Sequence, residues 1–92
     1  MSEAQESLAE RRKRALYRAN HRGTKEMDLV LGRFAAAHVD GMDNDELDLL
    51  EELLALPDPD LNRWTMLEPP SLENADLVRL IARIRAFHGL QA

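Results

Sequence analysis

Met27, Val30, Leu31 and Phe34 recur at i, i+3, i+4 and i+7, the spacing that places all four on one face of a helix. The rhythm returns in Leu47, Leu50 and Leu54, widened by Leu49, Leu53 and Leu56, and again in Leu77, Leu80, Ile81, Ile84 and Phe87. No alternation is long enough to propose a strand. The chain has one Trp, one Tyr and two Phe among its 92 residues, so a core must come mainly from Leu, Ala and Val, a mixture that favours helices. The pattern predicts an all-α fold.

Punctuation divides the chain into five helices. The first runs through "SEAQESLAERRKRALYRAN", with Leu8, Ala15, Leu16 and Ala19 on one face and residues 1–10 expected to be a frayed extension. Asn20 to Gly23 closes it, with Gly23 free to take the left-handed conformation that Cβ disfavours. Thr24 is placed to cap the second helix, and Asp43 with Glu46 has the capping-box spacing for the third, expected to be the most buried. Pro57 stops the third helix. Asp58 as N-cap with Pro59 at the first helical position begins a short fourth, "DLNRWTMLE", and Ser71 or Asn74 begins the fifth. Residues 1–92 thus read as one small five-helix bundle, too small to wall off a deep substrate cavity.

Without cysteine there is neither a disulfide framework nor a thiolate metal site. His21, His38 and His88 lie far apart with no i, i+4 pairing, so no metal is expected. No run reaches the length of a membrane span and residues 1–10 lack the apolar core of a secretory signal, which points to a cytoplasmic protein. Net charge is −5, but residues 1–25 carry seven Lys/Arg against three Glu, whereas residues 26–92 carry five against fourteen acids. A nucleic-acid or regulatory function would therefore have to use the basic first helix, and Arg11 to Arg14 has only Tyr17 nearby as a stacking group.

Arg22, Gly23 and Glu26 form an Arg-Gly-x-x-Glu arrangement where the chain turns. One account is a glycine C-cap followed by a carboxylate that favours the helix dipole. The other is a recognition corner, in which glycine admits another backbone while Arg22 and Glu26 offer a donor fork and an acceptor to a partner. Glu26 and Asp28 point to different sides of a helix and no nucleophile accompanies them, so no catalytic centre is expected. Trp64 is either core or an anchor at the edge of an interface.

"RGTKEMD" between the first two helices, an acidic leucine-rich third helix, "PDPDLNRW" and a closing "LVRLI" helix together resemble the FAD assembly factors of succinate dehydrogenase, bacterial SdhE and its mitochondrial relatives. The likeness runs from Arg12 to Phe87. The family signature Arg-Gly-x-x-Glu, followed by a hydrophobic residue and Asp, is matched by Arg22, Gly23, Glu26, Met27 and Asp28, with Thr24 where the family commonly has Met. The resemblance implies a five-helix monomer without a cofactor of its own. Such a factor binds the flavoprotein subunit of succinate dehydrogenase, and often that of fumarate reductase, and promotes covalent attachment of FAD there. Arg22, Gly23, Glu26 and Asp28 would form the docking surface, with Trp64 as a further contact.

Overall fold

A computed structural model describes residues 7–89. Among them are five α-helices, α1 (Leu8–Asn20), α2 (Lys25–His38), α3 (Asn44–Leu54), α4 (Asp58–Asn62) and α5 (Ala75–Phe87). A 3₁₀ turn, Val39–Gly41, follows α2, and a π-helical turn, Arg63–Leu67, continues α4.

Most helix starts are written locally. Thr24 Oγ1 accepts from Met27 N at 3.2 Å, and Asp43 and Glu46 exchange side-chain and backbone bonds at 2.9 and 3.1 Å. Asn74 caps α5. Two starts differ from the sequence reading. Ser7 and Glu10 make a second capping box, so residues 7–10 are an ordered helix start rather than a fray; residues 1–6 of that expectation lie outside the described residues. At α4 the N-cap is Pro57, not Asp58, which puts Pro59 one place further into the first turn.

Helix α1 lies along α2 and against α3, and α5 closes the other side against α2 and α3. Ala15 and Ala19 give α1 a thin buried seam that lets α2 approach closely. A Cβ on the buried Gly32 would come within 2.1 Å of Asn20 Oδ1, so the Asn20 side chain at the end of α1 rests against the glycine and would have to turn aside for a larger residue. Six residues of α2 are buried, Met27, Val30, Leu31, Gly32, Phe34 and Ala35, against four of α3. The most buried helix is therefore α2, because Leu49 and Leu56 stay at the rim of the core. Phe87 is 43% exposed and meets Phe34 edge-on at 5.8 Å instead of entering the core.

The fourth segment is not one continuous α-helix. Thr65 Oγ1 donates to Leu61 O at 2.6 Å, and the ladder then widens until Glu68 N reaches Arg63 O at 2.8 Å. Arg85 takes up the Trp64 carbonyl from α5.

Candidate functional site: the corner between the first two helices

Gly23 has φ +108°, a backbone conformation that L side chains rarely adopt. It turns the chain between α1 and α2 in one step. A Cβ there would meet nothing within 4 Å, so what faces Gly23 on the outside is open space. The turn is held from behind by Asp28, whose Oδ1 accepts the Arg22 N–H.

Arg22 does not extend outward as a donor fork. Its guanidinium folds back against the end of α3, where Nη1 donates to Leu54 O and Nη2 to Leu56 O at 3.0 Å. Nε reaches Asp58 Oδ1 at 3.0 Å, and Nη2 forms an ion pair with the same oxygen at 2.8 Å. The side chain is only 12% exposed. Leu54 is the last residue of α3 and Leu56 lies just past it, before Pro57, so neither carbonyl has a next helical turn to bond to. Arg22 supplies those donors from 32 and 34 residues away. It thereby ties the α1–α2 corner to the α3–α4 turn.

Glu26, in the first turn of α2, is exposed, and its carboxylate has no hydrogen bond or ion pair among the described residues. It lines a recess of ≈ 240 Å³ with Thr24, Met27, Asp58, Pro59 and Asn62. The structure thus brings Arg22, Gly23, Glu26 and Asp28 to one corner and divides their roles. Arg22 and Asp28 build it; Gly23 and Glu26 face out. Asp58, Pro59 and Asn62 are the residues that sequence reasoning missed. "PDPDLN" was visible as a helix start, but nothing local says that its Asp58 meets Arg22. Trp64 is 6% exposed and does not line this recess. The core account of it holds, with the Arg63 guanidinium 5.3 Å from the ring and the indole Nε1 without a hydrogen-bond partner.

Three of the four cations in the basic run of α1, Arg11, Arg12 and Arg14, bond to other parts of the fold, while Lys13 is exposed. Arg11 donates to Asn44 Oδ1 at 2.9 Å and pairs with Asp48 at 2.7 Å and Glu51 at 3.2 Å. Arg12 reaches Met42 O at 2.8 Å, and Arg14 pairs with Glu51 at 2.8 Å. Burial alone would push the Glu51 carboxyl up, but the bonds from Arg14 and Arg11 outweigh it and hold the group below its usual range. The basic head and acidic body are two sides of one seam. Tyr17, 63% exposed, has one face covered by His21 at 3.9 Å.

No helix among the described residues is long and apolar enough to cross a membrane. Residues 13–88 match the family model described as flavinator of succinate dehydrogenase. The chain is 48% identical over 61 residues to the FAD assembly factor SdhE of Acetobacter pasteurianus, an alignment covering 66% of this chain and 56% of the relative. It is 33% identical over 82 residues to the mitochondrial succinate dehydrogenase assembly factor 2 of Debaryomyces hansenii, covering 83% and 58%. The Arabidopsis thaliana protein of that name matches at 43% over 51 residues, covering 55% and 27%. The chain spans about half the length of the first two relatives. With the family model matched over most of its length, the chain belongs to the flavinator of succinate dehydrogenase family.

Proposed function

We propose that this chain is an assembly factor that promotes covalent attachment of FAD to the flavoprotein subunit of succinate dehydrogenase. The observation that carries the reading is the corner itself. Gly23 offers an open backbone approach and Glu26 an unengaged carboxylate, on a turn held rigid by Arg22 and Asp28, in a chain of the flavinator family. A docking surface held in place before contact loses less entropy on binding, and the bonds of Arg22 and Asp28 tie this one down.

The factor needs no catalytic centre or cofactor of its own on this reading. The flavin and the client supply the bond-forming chemistry. What the factor contributes is position: by binding one conformation of the client it keeps the reacting side chain aligned with the flavin. Gly23 and Glu26 make the contact, while Arg22 and Asp28 hold them in place. Trp64 acts from inside, by fixing the far end of α4. The factor works as a cytoplasmic monomer, and the flavoprotein of fumarate reductase is a second client of the same kind.

The test is covalent flavin on the client. Deleting the gene should abolish the in-gel flavin fluorescence of the succinate dehydrogenase flavoprotein, and restoring it should return the signal. Unchanged fluorescence in the deletion strain overturns the proposal. Against the nucleic-acid reading, three of the cations it would need, Arg11, Arg12 and Arg14, are engaged with α3 and the 3₁₀ turn.

A further inference from the structure

The recess beside the corner has a composition that specifies its occupant. Met27 and Pro59 supply apolar surface, Thr24 and Asn62 small polar edges, and two carboxylates, Glu26 and Asp58, stand on opposite helices. The carboxylates are not equivalent. Asp58 is 23% exposed and already neutralised by Arg22 at 2.8 Å. Glu26 is exposed and has no cation of its own among the described residues. The neighbouring Lys25 lines a different depression, with Asn20, Asp28 and Leu29. The recess therefore carries one unbalanced negative charge at the edge of an apolar floor.

Resting on the function proposed above, we infer that this recess receives a single Lys or Arg side chain projecting from the client flavoprotein. The aliphatic stem lies on Met27 and Pro59 and the charged head pairs with Glu26. Long cationic side chains are the ones that combine an apolar stem with a charged tip. An apolar side chain would strand Glu26 at a dry interface, and an acidic one would be repelled. Asp58, locked by Arg22, forms the far wall and adds its remaining acceptor oxygen to the head group.

The experiment is direct binding of the purified chain to the isolated flavoprotein subunit, at low and at high salt. The wild-type chain should bind less tightly as salt rises. Glu26→Gln, which keeps size and hydrogen-bonding capacity but removes the charge, should bind at least about tenfold more weakly at low salt and lose most of the salt dependence. Glu26→Lys should not bind, and one Lys→Glu or Arg→Glu change among exposed client residues should restore it. Melting temperatures lowered by no more than the small amount that a first-turn carboxylate is worth to its helix separate docking from folding.

Equal binding by wild type and Glu26→Gln overturns the inference and leaves the assembly function standing. Weaker binding by Glu26→Gln with an unaltered salt dependence also overturns it, because Glu26 would then serve a neutral donor. If the wild-type chain fails to bind the flavoprotein at all, the proposed function falls with it.

Discussion

Arg11 and Arg22 both reach across the molecule to α3 or its end, yet they meet different partners. Arg11 lies with Arg12 and Arg14 on a seam where one helix side faces another, and its carboxylate partner Asp48 is 64% exposed. Three arginines share the work there, and Glu51 receives two of them. Arg22 stands alone and, although its side chain is about as covered as that of Arg11 (12% against 15% exposed), it bonds to carbonyls at the end of α3 as well as to Asp58. The difference is one of redundancy. Water and neighbours can replace a bond in the first region, whereas in the second the removed donor leaves helix-end carbonyls and an acid without their partner.

The contrast is broken most directly by Arg22→Ala. It should cost about 2–4 kcal/mol, the range for removing one member of a buried charged network, and lower the melting temperature by roughly 10 °C or more in a domain of this size. A loss under about 1 kcal/mol would place Arg22 in the same class as the seam. Arg22→Lys retains the charge but not the planar fork that spans two carbonyls and a carboxylate. An intermediate loss, about half that of alanine, sharpens the comparison by separating geometry from charge.

Gly23→Ala tests the corner without touching either arginine set. With open space around the Cβ, its cost is backbone strain alone, about 1–2 kcal/mol by thermal melting. Arg11→Ala should cost less, about 0.5–1 kcal/mol, and the cost should shrink further in high salt. An Arg11 effect as large as that of Arg22 would end the distinction.

The smallest expected effect is with acid. Glu51 is held below its usual range in the fold, so its contribution is complete above the unfolded-state value of about 4.3 and fades as pH falls through the lower folded value. An acid titration of stability should therefore show Arg14→Ala losing part of the wild-type dependence below about pH 4. Arg22→Ala should retain the Glu51 component of that dependence.

What the sequence made legible is what neighbours decide. Thr24, the Asp43–Glu46 pair and Asn74 were readable as helix starts because each cap bonds within three residues. The left-handed backbone of Gly23 was readable from its place at a turn, but the C-cap of α1 is His21 and not the glycine. Ser7 and Glu10 obey the same capping rule, although they fall in the stretch expected to fray. The unbalanced charge of residues 1–25 and 26–92 was visible, but not that Arg11 and Arg14 of α1 would meet Asp48 and Glu51 of α3. Arg22 shows the limit most clearly. Its exposed role was inferred from its place at a turn, and its true partners are more than thirty positions along the chain. Proximity that distant comes only from packing, as does the widening of the ladder at Arg63–Leu67.

Trp64 is the chain's one tryptophan, and its indole nitrogen has no hydrogen-bond partner. An indole kept from water and from acceptors emits at the short-wavelength end of its range, because the excited-state dipole has little around it that can relax. Unfolding would expose that ring and move the emission to the red. The protein thus carries a built-in optical thermometer of its own integrity. Every arginine and glycine substitution above can be ranked from the colour of one residue, with no label attached.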